Sequence, residues 1–271
     1  MKKLLGICGF AFITAVLLFS LMQCGKTDLI SLTESIKASE FVSEIELNFE
    51  NENNEDIKSG VGIVACIINC VGAMPYEEPS AIEIELLQFV REEELLARDV
   101  YLAMYALYKI PVFRNISNSE TIHTTAIKAL LEKYTLADPA SDHQAGVFVN
   151  STIQQLYDDL VAQGSVSSDN AMIVGANIED WDIADLVDHL ENNVTNQDIR
   201  YILTQLYRGS RNHLRAFHAH LTFRGINYAP QYISQELYNQ IVNSGWEVGN
   251  GFCLCQFPST NLQASDEMSA N

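Results

Sequence analysis

The 271-residue sequence has few basic side chains. Its 16 Lys and Arg residues stand against 35 Asp and Glu residues, which gives a formal net charge of −19 and a sequence pI near 4.5. Because affinity for nucleic acid depends on Lys and Arg that neutralise phosphates, this shortage excludes nucleic acid as a partner. Apolar residues make up 48% of the chain, which excludes a disordered acidic tail and suffices for the core of an ordinary domain. Acidity alone does not distinguish a metal site from a solvated surface.

Proline and strand-like alternation are also scarce in the middle of the chain. Between residues 81 and 224 the prolines are Pro111 and Pro139, and no alternation of apolar and polar residues persists. The apolar spacing instead predicts long helices over residues 82–109, 116–134, 169–192 and 196–223, with short helices at 150–163 and near 233–242. We therefore predict an all-α fold, a four-helix bundle whose one long crossover joins the second and third long helices.

The head of the chain carries no acidic residue. Lys2 and Lys3 precede an uncharged run, Leu4 to Met22, that ends just before Cys24, which is the layout of a secretory signal. The four residues that end at Cys24 resemble a bacterial lipoprotein cleavage box, with Gln23 in place of the usual small residue. We predict a signal peptide over residues 1–23 and lipidation of Cys24. The alternative is an uncleaved membrane anchor, since a run of this length just spans a bilayer; both interpretations predict an extracytoplasmic, membrane-attached protein in the periplasm or at the cell surface.

Export bears on the cysteines that follow the head, which are Cys66, Cys70, Cys253 and Cys255. In an oxidising compartment an even number of cysteines favours disulfides, and three pairings are open. A zinc site is the alternative, although Cys-x-x-x-Cys and Cys-x-Cys differ from the usual zinc-knuckle spacing. These cysteines lie outside the bundle predicted at 81–224. We interpret residues 24–80 as an acidic tether with a short docked segment, and residues 225–271 as an irregular C-terminal extension.

Each predicted long helix places metal-capable side chains on its apolar stripe. These are Glu94 on the first helix, Glu120 and His123 on the second, Glu179 with Asp182 at the stripe's edge on the third, and His213 on the fourth. Burial of one unpaired carboxylate costs several kcal/mol, so three inward glutamates at similar depth favour a shared cation. Helical phase places Glu92 on the opposite face, Glu93 at the edge and Asp185 outside the stripe, and we predict that none of these three is a ligand.

Other roles are open for each of these residues taken alone. Ser117 to Glu120 fits a capping box in which Glu120 serves the start of its own helix. Glu94 could pair with Arg98 on the helix surface, and Glu179 could favour the dipole of a first helical turn. A lone inward histidine is most often a hydrogen-bonded core residue. The agreement of all four helical phases favours a metal site over these alternatives.

An ordered series of motifs resembles a known family. The stretches REEELLARDVY, FRNISNSETIH, QQLYDDLVAQGS, IEDWDIADL and RGSRNHLRAF, between about Ile84 and Phe223, are similar to the ferritin-like family called domain of unknown function 2202. Glu94 with Glu120-x-x-His123 also resembles the first half of a rubrerythrin or ferritin-like carboxylate site. The resemblance implies a ferritin-like bundle, whose relatives bind two irons through a Glu from each of two helices and a Glu-x-x-His from each of the other two.

Carried over to this chain, the resemblance implies that the metal ligands are Glu94, Glu120, His123, Glu179 and His213. Ser210 stands where the fourth carboxylate is expected, so either Asp182 substitutes for it or the site holds one metal. Carboxylate and imidazole ligands suit iron or manganese. We predict an exported protein that binds one of these metals, and any reaction is expected to be that of a metal-dependent oxidoreductase acting on oxygen or peroxide.

Two further interpretations remain open. Tyr101 and Tyr105, inward on the first helix, are predicted either to hydrogen-bond to metal ligands, to be oxidisable neighbours of the metal, or to be core packing residues. The alternative function is a metal-free helical lipoprotein that acts as a surface or interaction module. In that case hydrogen bonds to His213, Ser210 and Arg98 hold the buried acids.

Overall fold

A computed structural model describes residues 66–67 and 69–247. The regular secondary structure of this part of the chain is helical, apart from one isolated antiparallel bridge between Gln144 and Val147, which confirms the predicted all-α class. Within the same residues, none of the helices has both the length and the apolar character needed to cross a membrane. The predicted signal at 1–23, Cys24, Cys253 and Cys255 lie outside the described residues, so lipidation and disulfide pairing stay predictions.

The described helices follow the predicted order, with the crossover between α2 and α4 containing α3. Their bounds are α1 Ala81–Tyr108, α2 Pro111–Lys133, α3 Ser151–Gly164, α4 Ser168–Asp188, α5 Gln197–Phe223 and α6 Gln235–Asn243. The predicted end of the third long helix at residue 192 needs a correction, because the α-helix ends at Asp188 and a π-helical turn, His189–Asn193, continues it. Residues 66–67 and 69–73 are also helical, and Ile67 and Val71 are buried there.

Local sequence sets the ends of the first helix pair. Ser80 and Glu83 form a capping box, in which the Glu83 N–H donates to Ser80 Oγ (3.3 Å) and the Ser80 N–H donates to the Glu83 carboxylate (2.8 Å). Lys109 caps the C-terminal end of α1 and adopts a left-handed backbone conformation, with φ of 55°. Pro111 then occupies the first turn of α2, where a missing N–H leaves no hydrogen bond unmade. The two-residue link makes α1 and α2 antiparallel neighbours.

The start of α2 differs from the prediction at residue 116. The helix begins at Pro111 because proline is favoured at a helix start, and Phe113 extends the apolar stripe by one turn into the core. Ser117 therefore lies inside the helix, where its hydroxyl donates to the Arg114 carbonyl at 2.8 Å. The capping-box interpretation of Glu120 is consequently wrong, and its carboxylate is available to the interior.

The long helices pack mainly in two pairs, α1 with α2 and α4 with α5. Their buried apolar side chains form two clusters, one around Tyr101, Phe113 and Phe217 and the other around Leu87 and Ile127. Between these clusters lies a group of buried polar residues that we call the polar layer, which consists of Glu93, Glu94, Glu120, His123, Glu179, Asp182, Ser210 and His213. The helices thus bring all the predicted site residues to one depth of the core.

Candidate metal centre

Glu120 on α2 lies at the middle of the polar layer and uses both of its carboxylate oxygens. Oε2 lies 2.8 Å from Nδ1 of His123, one turn further along the same helix. Oε1 lies 2.8 Å from Nδ1 of His213, which comes from α5. The two imidazole rings are stacked, with centroids 5.4 Å apart and an interplanar angle of 25°. Each oxygen of Glu120 therefore faces a different histidine, as expected of a carboxylate that bridges two sites.

Two further glutamates complete a pair of three-residue groups. Glu94 Oε2 on α1 lies 3.1 Å from His123 Nδ1, and Glu179 Oε2 on α4 lies 3.4 Å from His213 Nδ1. We call Glu94, Glu120 and His123 the first triad, and Glu120, Glu179 and His213 the second triad. In each triad one ligand atom per residue lies within 4.8 Å of the others, and all three side chains are buried. The structure therefore brings the five predicted ligands together, with Glu120 at the centre of the group.

Asp182 lies near Ser210, the position at which the sequence lacks the expected fourth carboxylate. It follows Glu179 by one turn on α4, is buried, and its Oδ1 has no hydrogen-bond partner among the described residues. Ser210 on α5 lies beside Asp182, but its hydroxyl donates to the Leu206 carbonyl at 3.0 Å. Asp182 of α4 therefore lies close to the position expected for the fourth carboxylate.

A small cavity opens among these carboxylates. Its volume is about 10 Å³, which is room for about one water-sized group. It is lined by Glu93, Glu94, Ala97, Glu120, Ile178, Glu179, Trp181 and Asp182. Both Glu94 and Asp182 have one buried oxygen with no hydrogen-bond partner in the described residues. Since a buried oxygen of this kind needs a compensating donor or cation, the chemistry of the cavity wall suits a cation.

Burial and pairing shift the pKa values of the residues in the two triads. Burial raises the pKa of Glu120, but the adjacent His213 and His123 outweigh it and hold this pKa well below its ordinary value. Burial raises the pKa of Glu94 to about 8 despite the opposing effect of His123. For His213, burial lowers the pKa, but the charges of Glu120 and Glu179 outweigh it and raise the pKa to about 10. Glu120 is therefore the ionised carboxylate that both histidines share.

Tyr101 hydrogen-bonds to a candidate ligand, whereas Tyr105 does not. The buried Tyr101 hydroxyl donates to Glu179 Oε1. His213 is held from its other side, where Nε2 lies 2.9 Å from Ser119 Oγ. Tyr105 is half-buried and lies beneath cationic side chains. Of the two tyrosines considered from the sequence, Tyr101 is thus the one that can orient a ligand.

The structure also excludes the surface roles considered for two of the glutamates. Arg98 Nε donates to Asp99 Oδ1 at 2.9 Å and forms its ion pair there rather than with Glu94. Glu179 lies in the middle of α4, which begins at Ser168, so it is far from the first helical turn. Both glutamates therefore belong to the interior.

The prediction that Glu92 faces away from the core is wrong, because Glu92 is buried, and Glu93, predicted at the edge of the stripe, is buried as well. Glu92 accepts hydrogen bonds from the N–H groups of Val149 and Asn150 and so anchors the crossover to α1. Neither oxygen of Glu93 has a hydrogen-bond partner in the described part of the chain, and its side chain lines the cavity. The physical reason is that α2, α3 and α4 all pack on α1, so more of its circumference is buried than one apolar stripe indicates.

Gly209 is a site residue that the sequence patterns miss. A Cβ atom at this position would overlap the imidazole ring of His123, so glycine allows the backbone of α5 to approach that ring. A glycine inside a helix costs about 1 kcal/mol relative to alanine. Its presence in the middle of α5 is therefore the sequence signal that could have indicated a close approach.

Comparisons with known proteins agree with the motifs. Residues 83–245 match the family model described as "Uncharacterized protein domain (DUF2202)". Over 183 residues the chain is 45% identical to the uncharacterized protein MJ0754 of Methanocaldococcus jannaschii, covering 68% of this chain and 98% of that protein. It is also similar to the crystal structure of hypothetical protein MJ0754 from Methanococcus jannaschii, with a TM-score of 0.63, 47% identity, and coverage of 65% of this chain and 99% of that one.

Proposed function

The chain belongs to the DUF2202 family of uncharacterized protein domains, and we propose that it is a ferritin-like protein whose two triads bind a pair of iron or manganese ions. The observation that carries this proposal is the position of Glu120, whose two oxygens face His123 and His213 at 2.8 Å each. One carboxylate shared between two imidazoles is the arrangement needed to hold two ions side by side.

The donor atoms fit these metals. Each triad supplies two carboxylates and one imidazole, a mixture of oxygen and nitrogen ligands that suits iron and manganese. Glu94 and Asp182 each keep a buried oxygen without a hydrogen-bond partner, which adds donor capacity. We propose that Asp182 replaces the fourth carboxylate that Ser210 does not provide.

The arrangement of the helices supports the ferritin-like part of the proposal. In such bundles, the metal ligands project inward from four long helices, with Glu-x-x-His on some of them. Here Glu94 comes from α1, Glu120 and His123 from α2, Glu179 from α4 and His213 from α5. The crossover that contains α3 joins the second and third of these helices.

We propose an oxidoreductase role for the loaded protein. Bound iron or manganese would supply one-electron chemistry toward oxygen or peroxide. The chain's own contribution is to position the ligands: Tyr101 holds Glu179 by a hydrogen bond, and Ser119 holds His213. The apolar clusters on either side of the polar layer exclude water from it.

A metal-free interaction protein is the second candidate, favoured by the absence of a carboxylate at Ser210. In its favour, His213 pairs with Glu120 without any metal. Against it, Arg98 pairs with Asp99. One of the three partners that this hypothesis assigns to the buried acids is thus engaged elsewhere, whereas Ser210 lies beside the buried Asp182 and donates its hydroxyl to the Leu206 carbonyl.

The location of the protein is a separate proposal that rests on the sequence. The basic and apolar head over residues 1–23 supports export, and Cys24 is the proposed site of a lipid anchor. Export would place the cysteines in an oxidising compartment, where disulfides among them are favoured.

Metal analysis of the protein after anaerobic loading with Fe²⁺ or Mn²⁺ tests the metal proposal. We expect two ions per chain, one for each triad, and a melting temperature that falls when a chelator removes them. Metal at about a hundred times its Kd stabilises the folded state by about 2.7 kcal/mol. Glu94→Ala should bind less metal, whereas Glu85→Gln, which changes an exposed acid of the same helix, should behave as wild type. Absence of bound metal together with an unchanged melting temperature would leave the metal-free alternative.

A further inference from the structure

A glycine ends α5 and starts the link to α6. Gly225 has φ of 70°, in the left-handed region that favours glycine. Its N–H donates to the Thr222 carbonyl, and the Ile226 N–H donates to the Leu221 carbonyl, both at 2.9 Å. These two bonds form the Schellman motif of a helix end. Residues 226–234 therefore form the link to α6, a part of the chain to which the apolar patterns assign no role.

Asp180 of α4 holds this link in place. Its buried carboxylate accepts hydrogen bonds from the Tyr228 hydroxyl at 2.8 Å and from the Ile233 N–H at 2.9 Å. It also accepts from the backbone N–H groups of Gln231 and Tyr232. Four donors on one carboxylate compensate for its burial. A link without helix or strand is thus fixed on α4.

A pocket of about 430 Å³ lies among the end of α3, one face of α4 and the fixed link. This volume falls within the range of small-molecule sites. Its lining residues are Gln163, Ile173, Asn177, Asn227, Tyr228, Ala229, Gln231 and Tyr232. None of them lines the cavity of the polar layer, so binding in this pocket is independent of the two triads.

The pocket wall is polar but has no charged side chain. Four of its eight lining residues are amides and two are tyrosines. The side-chain amides of Gln163 and Asn227 make no hydrogen bond within the described part of the chain. Asn177 uses only its oxygen, which accepts from the Tyr228 hydroxyl at 3.4 Å. Donors and acceptors of three amides are therefore available to a ligand.

The two tyrosines of the wall differ in what they offer. Tyr228 is held by its hydroxyl bond to Asp180 and packs against Tyr238, with ring centroids 5.7 Å apart. Tyr232 is 51% exposed, so its ring can be covered by a ligand. The face of an aromatic ring packs well against apolar C–H groups. The wall thus combines a fixed polar surface with one exposed aromatic face.

These properties select one chemical class of ligand. An ion would find no opposite charge in the lining, and an apolar ligand would bury the amides without hydrogen bonds. Amides both donate and accept, as hydroxyl groups do. A ligand that carries several hydroxyls around an uncharged ring with C–H groups on its faces satisfies both the amides and Tyr232.

We propose that this pocket binds a neutral saccharide of roughly one or two sugar rings. The hydroxyls at the edge of the sugar would bond to Gln163, Asn177 and Asn227, and one ring face would pack on Tyr232. Because Asp180 fixes the link without any ligand, little of the wall has to be ordered on binding, which favours affinity.

Saturation-transfer NMR with the full-length protein tests the pocket, using cellobiose, maltose and N,N′-diacetylchitobiose as neutral probes at millimolar concentration. We expect at least one of them to receive saturation, most strongly at the C–H protons of a ring face. Tyr232→Ala should weaken its binding about tenfold, and Asn227→Ala roughly threefold to tenfold. Glucuronate, a charged sugar, should bind more weakly than any neutral probe that binds.

Tyr76→Ala is the matched control, because Tyr76 is 60% exposed and lies outside the pocket; it should bind as wild type. Absence of saturation transfer to all three disaccharides would overturn the proposal, and so would equal binding by wild type, Tyr232→Ala and Asn227→Ala. Binding of a blocked tetra-alanine peptide that depends on Tyr232, without binding of any sugar, would overturn the saccharide class. If circular dichroism shows that Tyr232→Ala does not fold, Asn227→Ala, also an exposed position, decides by the same comparison.

Discussion

The first and second triads share Glu120 but are built differently. Glu94 and His123 belong to α1 and α2, which a two-residue link joins, and their closest approach is 3.1 Å. Glu179 and His213 belong to α4 and α5, and their closest approach is 3.4 Å. The first triad is therefore the product of one helical hairpin, whereas the second forms only when α4 and α5 dock against that hairpin.

The supply of acids also differs between the two triads. Around the first triad, Glu94 and Glu120 come from two different helices. Around the second, Glu179 and Asp182 both come from α4, and α5 contributes Ser210 instead of an acid. The difference teaches that a serine at the expected position of a carboxylate does not leave the core without an acid there, because α4 places the buried Asp182 beside Ser210.

Glu120→Ala should have the largest effect, because it removes the ligand that both triads share. We expect the number of bound ions to fall from two to none at metal concentrations that saturate wild type, with an affinity loss of at least about a hundredfold. Isothermal titration with Mn²⁺ measures this, with Glu85→Gln as the control. One ion bound by the Glu120→Ala variant at wild-type affinity would show that the triads do not share this residue.

His123→Ala and His213→Ala should separate the two triads. Each variant loses one imidazole and should lose one ion while keeping the other. Because the first triad has the closer contacts, we expect the ion that remains in His213→Ala to bind about tenfold more tightly than the one that remains in His123→Ala. Mn²⁺ titration of the two variants in parallel provides the comparison, and equal residual affinities would contradict the difference in geometry.

The stability of the metal-free protein should depend on pH through groups of both triads. In the metal-free protein the pKa of Glu94 is raised to about 8 and that of His213 to about 10. A group whose pKa is raised by folding binds its proton more tightly in the folded state. Its stabilisation is therefore complete below the unfolded pKa and is lost as the pH rises through the folded pKa. For Glu94 this loss runs from about pH 4.5 to 8, and for His213 from about pH 6.5 to 10.

Metal ions compete with these protons, so metal affinity should change in the opposite direction. We expect it to rise about tenfold per pH unit for each proton displaced, or roughly a hundredfold between about pH 6 and pH 8. Calorimetric melting across this range should show a falling melting temperature for the metal-free protein and a stable or rising one for the loaded protein. Parallel curves for the two forms would refute the competition.

Tyr101→Phe should have the smallest effect, confined to the second triad. It removes the hydrogen bond to Glu179 but keeps the ring that packs against Phe113 and Phe217. We expect about tenfold weaker binding of one ion, no change in the other, and a cost of about 1 kcal/mol in the free energy of unfolding. Titration and denaturant unfolding measure these, and an equal loss at both ions would contradict the assignment of Tyr101 to the second triad.

Much of the site follows from helical phase, and what phase misses has identifiable causes. The 3.6-residue repeat alone turns Glu94, Glu120 and Glu179 inward. The predicted outward position of Glu92 fails because phase assumes one buried face, whereas α1 is covered by three other helices. Helical phase does not predict the packing role of Gly209, because that role depends on His123, a residue of another helix.

The sequence by itself determined that Glu94, Glu120 and Glu179 turn toward the core, because helix propensity and phase are local properties of the chain. Only the tertiary structure decided which of these side chains meet. The pairing of Glu120 with His213, the position of Asp182 beside Ser210 and the burial of Glu93 at the cavity depend on how α4 and α5 dock against the first hairpin. That docking is set by complementary packing between helices that are distant in sequence, which no single helix encodes.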